Sequence, residues 1–277
     1  MTQDSQKNNP TIYWSGMTDV GRVRKNNEDA FLAITFNDRE CSFLGKIGEA
    51  TQEKGDFIFA VSDGMGGANA GEFASRVAVD KLIELAPQSF RLSAMGMTVD
   101  YNDILNEVFS EIHKKIRYYS FHYEECRGMG ATLSMCWFTP EKMHFAHIGD
   151  SRIYHMSATG EMKQLTNDHS IAARLMREGK ISEREMRKHP ERSILERSLG
   201  ARSEIVEPQF GSFIYEPGDT FIICSDGVSD VLFDSNIRDA LIRPFPYLAN
   251  KPPAEQIVKR AITQGSQDNV TAVVIQI

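Results

Sequence analysis

Residues 57–71 read FIFAVSDGMGGANAG. The first five form a continuous run of aromatic, aliphatic and β-branched residues, which predicts a strand buried on both faces. Ser62-Asp63-Gly64 ends that run, and Gly66-Gly67 follows before a helical pattern begins at Gly71. A carboxylate at the tip of a rigid strand is a well-held metal ligand. The glycine beside it lets a backbone carbonyl come close to an ion. Most Asp-Gly pairs in such a setting are simply turns. Here the arrangement recurs. Phe221-Ile222-Ile223-Cys224 runs into Ser225-Asp226-Gly227, Gly149-Asp150-Ser151 ends a third apolar run, and Gln267-Asp268-Asn269 opens a fourth. Aspartates at four strand mouths point to one carboxylate cluster rather than to unrelated turns.

The chain has 277 residues, 41% hydrophobic and 25% charged, an ordinary balance for a soluble globular protein. That length fits one large domain or two small ones. A formal net charge of −7 argues against a nucleic-acid partner. No apolar run approaches the roughly 20 residues that span a bilayer, and the polar start MTQDSQKNNP lacks the apolar core of a signal peptide. Cys41, Cys126, Cys136 and Cys224 show no paired spacing. They read as reduced thiols of a cytoplasmic protein, with no signature of a thiol nucleophile.

Around the central stretch, residues 1–11 are expected to be a disordered tail and 12–17 a first strand. Residues 21–29, which hold Arg24, Glu28 and Asp29, are charged and aperiodic, hence a loop. Glu28-Asp29 reads as a solvated turn or as part of a site for phosphate and metal. A strand over 30–36 and a hairpin loop over 37–55 follow. The apolar stripe Ala74, Val77, Ala78, Leu82, Leu85 predicts a helix over 71–87 that Pro87 ends. A second helix, over 100–122, is carried by Ile104, Leu105, Val108, Ile112 and Ile116, and the two should lie antiparallel on a sheet. Strands over 131–138, 143–148, 152–156 and 162–165 succeed one another directly, which implies antiparallel hairpins. Residues 166–205 interrupt them with a helix over 168–179 and a shorter one that starts at the capping-box spacing Ser182–Glu185 and stops at Pro190. Between 171 and 200, 8 Lys or Arg face 5 Glu. This excess reads equally as a solvated surface or as a holder for a phosphorylated, acidic partner. Strands over 209–215, 220–224 and 270–277 and a helix over 253–264 complete an α+β layout. The expected architecture is a four-layer α-β-β-α sandwich, two antiparallel sheets flanked by helix pairs.

A cluster of Asp and Glu without His or Cys selects hard cations, Mg²⁺ or Mn²⁺. Two such ions about 4 Å apart clamp a phosphoryl group and acidify a bridging water. Arg24 adds a bidentate grip on phosphate oxygens. These features argue for phosphoester hydrolysis, and spacing alone does not say of which ester.

The segments GRVRKNNEDAF (21–31), VSDGMGGANAGEFAS (61–75), GMGATL (128–133), AHIGDSRIY (146–154), LTNDHS (165–170), HPERSILERSLG (189–200), ICSDGVSDVL (223–232) and GSQDNVTAVVI (265–275) occur together and in order. In them the chain resembles the metal-dependent protein serine/threonine phosphatases of the 2C type, in their compact bacterial form. The resemblance covers residue 12 onward as one phosphatase domain. It makes 166–205 a flap over the substrate groove. It implies that Asp63 bridges two ions, that the Gly64 carbonyl and Glu28 contribute ligands, and that Asp29 holds bound water. Asp226 and Asp268 complete the first ion. Asp150 with Asp226 supports a third, weaker one, and Asp230 assists. Asn269 orients its neighbours. Arg24 is the phosphate-binding arginine, and a hydroxide bridging the ions attacks phosphorus with no phosphoenzyme. With Arg24, Asp63 and Asp226 at the centre of the chemistry, the implied substrate is a phosphoserine or phosphothreonine protein, modified by a serine/threonine kinase. The implied enzyme is a signalling monomer that needs no membrane. Two departures stand out: Met65 follows Asp-Gly where many eukaryotic members carry His, and Ala68 follows GMGG where bacterial members often do. A non-catalytic relative that only docks phosphoproteins would usually lose the carboxylates kept here. Nucleotide hydrolysis of the P-loop kind lacks its GxxxxGK[ST].

Overall fold

The computed structural model describes residues 10–37, 40–52, 55–67, 69–94 (backbone only for 88–94) and 100–277. In chain order its strands are β1 (Thr11–Asp19), β2 (Asp29–Phe36), β3 (Cys41–Phe43), β4 (Ile47–Thr51), β5 (Asp56–Met65), β6 (Gly130–Ala131), β7 (Leu133–Phe138), β8 (Met143–Ile148), β9 (Arg152–Met156), β10 (Met162–Gln164), β11 (Gln209–Phe213), β12 (Thr220–Cys224) and β13 (Val270–Gln276). The helices are α1 (Ala70–Ala94), α2 (Tyr101–His122), α3 (Ile171–Arg177), α4 (Glu183–Met186), α5 (Asp226–Ser229), α6 (Asp234–Ile242) and α7 (Pro253–Thr263).

Two sheets form, with strand orders β10-β9-β12-β13-β1-β4 and β11-β8-β7-β5-β2-β3, β6 pairing β5 beside the second. Their stacking follows from the alternation of side chains along each strand. Phe57, Phe59 and Val61 of β5 face the layer between the sheets, where they meet Phe221, Ile223, Val273 and Ile275. Ile58 and Ala60 face the other way, onto α1 and α2. Both faces of β5 are buried, so its sequence is continuously apolar rather than alternating. Ile222, Cys224, Ala272 and Val274 turn outward onto α6 and α7. The four layers are therefore helix, sheet, sheet, helix, as the sequence led us to expect. The α1–α2 pair is antiparallel, since Phe73 near the start of α1 meets Tyr119 near the end of α2 with ring centroids 5.1 Å apart.

Several boundaries differ from expectation. Of the tail expected over 1–11, residues 1–9 lie outside the described residues and Thr11 opens β1. Residues 37–55 are more than a hairpin loop. β3 extends the β2 sheet, whereas β4 pairs with β1 in the other. Pro87 does not end α1, which runs on to Ala94. The buried row Ala78, Leu82, Ala86 holds that face of the helix on the core, against the single backbone hydrogen bond that proline forfeits. The helices α5 and α6 were not foreseen. In the 166–205 segment the capping box at Ser182 and Glu185 is present, and α4 closes at Met186, before Pro190.

Candidate metal centre

The alternation that builds the inter-sheet layer also builds the site. One step beyond Phe57, Phe59 and Val61 along β5 comes Asp63. In β2 the residues facing the same layer are Phe31 and Ala33, and one step before them comes Asp29. Asp29 and Asp63 are register partners, so both project to the same side of the sheet. The apolar layer thus ends in carboxylates at its mouth. Asp150 lies in the turn where the chain leaves β8 and crosses to β9 in the other sheet, and Asp226 is the first residue of α5, directly after β12. Asp268 precedes β13, and Glu28 precedes β2. Asp63 itself lies within β5 rather than at its tip, two residues before its end.

Close backbone approach fixes this cluster. A Cβ added to Gly64 would stand 1.9 Å from the Gly71 carbonyl oxygen, and one on Gly71 would stand 2.6 Å from Glu28 Oε1. Only glycine at both positions lets the β5 end, the first turn of α1 and Glu28 share this space. The Asp63 N–H donates to Thr132 Oγ1 at 2.9 Å, and that hydroxyl meets Ser151 Oγ at 2.8 Å, which links the Asp63 and Asp150 segments. Asn269 ties together the loop around Arg24. Its Oδ1 accepts from the Glu28 N–H, and its Nδ2 donates to the carbonyls of Val20 and Asn26. Ser225 gives its hydroxyl to Asp29 Oδ2 at 2.7 Å rather than to the α5 backbone it caps.

The electrostatics are those of crowded, like-charged groups. Burial raises the Asp63 carboxyl well above its usual range, and the neighbouring charges of Asp29, Asp226, Asp150 and Asp268 raise it further. Asp226 is raised in the same sense, by burial first and then by Asp150, Asp230, Asp268 and Asp29. Burial carries Asp29 up to about 6, against the pull of hydroxyl hydrogen bonds. It carries Asp150 up to about 7, with Asp168 and Asp230 adding to it. By accessible area Asp63, Asp150 and Asp226 are only partly buried, so loss of water weighs less on them than full burial would, and mutual repulsion at the cleft floor adds to it. Arg24 is the nearby counter-charge: its Nη2 donates to Asp268 Oδ2 at 2.7 Å. Asp268 Oδ1 accepts from the N–H of Asn269.

Among the described residues, no group of three or more His, Cys, Asp or Glu side chains is arranged to hold a metal ion as it stands. Both Asp268 oxygens and one Asp29 oxygen are engaged in hydrogen bonds. The donor set nevertheless fits a hard cation. Asp29 Oδ1 and Asp226 Oδ1 are buried without any hydrogen-bond partner, a costly state for a carboxylate oxygen that a proton or a cation relieves. The Gly64–Gly71 cradle leaves backbone carbonyl oxygen next to Glu28. Asp230 lines the same pocket as Asp150 and Asp226, 3.4 Å from Arg192 Nε. The expected residues Glu28, Asp29, Asp63, Gly64, Asp150, Asp226 and Asp268 thus come to one mouth. The change at Ala68 lies outside the described residues.

Residues 46–264 match the protein phosphatase 2C family. The chain belongs to that family. Protein phosphatase PhpP of Streptococcus pneumoniae is 32% identical over 265 residues, covering 94% of this chain and 95% of that protein. The crystal structure of the Mycobacterium tuberculosis serine/threonine phosphatase PstP/Ppp superposes with a TM-score of 0.76 at 30% identity, over 97% of this chain and 99% of the other. A crystal structure of the catalytic domain of serine threonine protein phosphatase PstP in complex with 2 manganese ions superposes with a TM-score of 0.74 at 29% identity, covering 96% and 98%.

In this protein phosphatase 2C chain, sequence reasoning missed the buried pair beside the carboxylates. Arg152 donates through Nε and Nη2 to Asp168 at 2.6–3.0 Å, and its Nη1 reaches the Tyr154 hydroxyl. The pair lines the same pocket as Asp150 and Asp226. Both residues lie in the family segments 146–154 and 165–170, but neither was singled out. His169 and His189 serve as hydrogen-bond acceptors for backbone N–H groups, of Gly149 and Glu191.

Proposed function

We propose that this chain is a metal-dependent protein phosphatase that hydrolyses phosphoserine and phosphothreonine. In this reading it is a bacterial, cytoplasmic signalling monomer that opposes a serine/threonine kinase. The observation that carries the reading is the convergence at one mouth of carboxylates from distant segments, two of whose buried oxygens lack any partner, beside an arginine. The named relatives support the same activity. Residues 12–277 then act as one catalytic domain, with 166–205 as a flap over the cleft. Four free cysteines, two of them buried, suit a reducing compartment. Among the described residues no helix is long and apolar enough to cross a membrane.

In this reading Asp63, Asp226 and Asp268, with Glu28 and the Gly64 carbonyl, would hold two Mn²⁺ or Mg²⁺ ions. Asp29 would hold ordered water, and Asp150 with Asp226, assisted by Asp230, a third ion. When bound, such ions supply Lewis-acid stabilisation of the phosphoryl oxygens and make water acidic enough to react near neutral pH. The protein's own part is placement. Arg24 lines the cleft of about 560 Å³ together with Arg192, Asp226 and Asp268, where its planar fork can orient two phosphoryl oxygens. Buried Asp29 and Ser225 keep the cleft floor fixed. Cys136 and Cys224 are buried, and burial raises both thiols, Cys224 to about 12, so neither acts as the nucleophile. A relative that only docks phosphoproteins would not need this carboxylate set, and nothing favours that alternative.

The test is hydrolysis of a phosphothreonine peptide in Mn²⁺ by wild type and by Asp226→Asn. The expected outcome is a loss of at least a hundredfold in kcat with an unchanged circular dichroism spectrum, and loss of wild-type activity in EDTA that Mn²⁺ restores. Activity of the variant equal to wild type would refute the assignment.

A further inference from the structure

The basic excess in 171–200 remains unassigned by the chemistry above. Its arginines do not spread evenly over the surface. The extended stretch over 166–170 forms a wall one backbone thick. Asp168 and Ser170 face the acidic pocket lined by Asp150 and Asp226. Asn167 and His169 face the opposite side, into an open groove of about 390 Å³ that Arg174, Arg177, Arg197 and the Arg174-paired Glu196 also line. Alternation along an extended chain explains this division. The wall is anchored to the site itself, because the His169 N–H donates to the Gly149 carbonyl at 2.7 Å, and Gly149 directly precedes Asp150. Groove and acidic pocket are thus two sides of one short segment.

The donors of this groove have a definite inventory. The N–H of Gly149 donates to His169 Nδ1 at 3.2 Å. That nitrogen is therefore unprotonated, and the neutral ring carries its proton on Nε2 as a further donor. Arg177 spends one Nη on the Asp168 carbonyl at 2.7 Å and has no carboxylate partner among the described residues. Arg197 donates through Nη1 to the Glu207 carbonyl at 3.3 Å and meets its carboxylate through Nη2 at 3.4 Å, both longer than a charge-assisted bond of about 2.7–2.9 Å. Arg174 differs: Glu196 at 2.8 Å and Glu178 at 3.2 Å hold it in place. Arg177 and Arg197 are thus the two guanidiniums of this groove with donors to spare, and His169 lines it with them.

We propose that this groove is a second anion subsite, in which Arg177 and Arg197 bind an acidic side chain or second phosphoryl group of the phosphoprotein substrate, a few residues from the phosphorylated one. The proposal rests on the phosphatase reading for the identity of its ligand. An extended peptide advances about 3.3 Å per residue, and the groove adjoins the segment that carries Asp150. A peptide with its phosphoryl group over the carboxylates can therefore place a nearby anion on the other side of the wall. The subsite selects among substrates rather than reacting with them.

The experiment compares two phosphothreonine peptides, one flanked by Glu and the other by Gln, on wild type and on the double variant Arg177→Gln, Arg197→Gln. Wild type should prefer the Glu-flanked peptide in kcat/KM, and the double variant should lower that preference about tenfold, the loss of one charge-assisted contact. The change should fall on KM. A preference equal in the two proteins overturns the proposal. Arg197→Gln alone, at an exposed side chain, should lower the preference in the same direction, so a double variant that fails to fold leaves the question decidable. Fluorescence anisotropy of both labelled peptides decides it again without turnover. Weaker binding of only the Glu-flanked peptide by the variant supports the subsite, and equal affinity overturns it. A wild type that binds these peptides and hydrolyses neither sinks the phosphatase reading while leaving the subsite judged on binding.

Discussion

Asp63 sits where the alternation of β5 would otherwise place a fourth apolar residue against the inter-sheet layer. A carboxylate there is unfavourable by itself, and its raised proton affinity reports that cost. Arg24 offsets part of the cluster's charge by pairing with Asp268. The same guanidinium is assigned the phosphoryl group, so its two roles compete. Arg24→Ala should therefore have a split effect. KM for a phosphothreonine peptide should rise about tenfold to a hundredfold, the worth of a charge-assisted hydrogen bond. Mn²⁺ affinity should stay the same or increase, because Asp268 Oδ2 is freed. Steady-state kinetics and calorimetric Mn²⁺ titration read the two effects separately. An unaltered KM would remove Arg24 from substrate binding.

At the scale of elements, the first turn of α1 is where helix and site constrain each other. Alanine is the better helix former by about 1 kcal/mol, yet Gly71→Ala would drive a methyl group against the Glu28 carboxylate and the Gly64 carbonyl. The expected result is Mn²⁺ affinity reduced at least tenfold, measured by calorimetry, with helix content retained by circular dichroism; wild-type affinity would show that the cradle does not shape the site. Elements with strong internal patterns were legible in advance. The apolar runs of β5, β12 and β13 and the stripes of α1, α2 and α7 each state their own burial. The elements that escaped reading carry weak patterns. β4 is an edge strand whose residues alternate between exposed and half-buried, and α6 buries only Ile237 and Ala240. α5 spans four residues. Pro87 was over-read, because a breaker rule counts one lost hydrogen bond and not the packed face around it.

For the molecule as a whole, the carboxylates were legible because the chain repeats one device, a buried strand with an aspartate at or near one of its ends. Their partners were not. Arg24 and Asp268 are 244 residues apart, and Ser225 and Asp29 are 196 apart; pairing of β1 with β13 brings the first two together, and closure of the two sheets the second two. That closure gathers charge without neutralising it, and stability should show this. A carboxyl group whose pKa is raised by folding stabilises the native state fully below its unfolded value, about 3.9, and loses that contribution as pH rises through its folded value. For Asp29 and Asp150 those folded values are about 6 and about 7. The metal-free protein should therefore lose these contributions between about pH 4 and pH 7. Divalent ions displace the same protons and should restore what is lost. Buried His144 and His147 are pushed down to about 4 and about 3 and act in the opposite sense, but they do so with and without metal. The informative quantity is thus the difference in Tm between Mn²⁺-loaded and metal-free protein. At a free ion concentration of about 100 Kd it should reach roughly 5–10 °C near pH 8, shrink steadily toward pH 5, and largely vanish in Asp226→Asn. A difference that is constant with pH, or that survives in the variant, would mean that the ions stabilise the fold somewhere other than at these carboxylates.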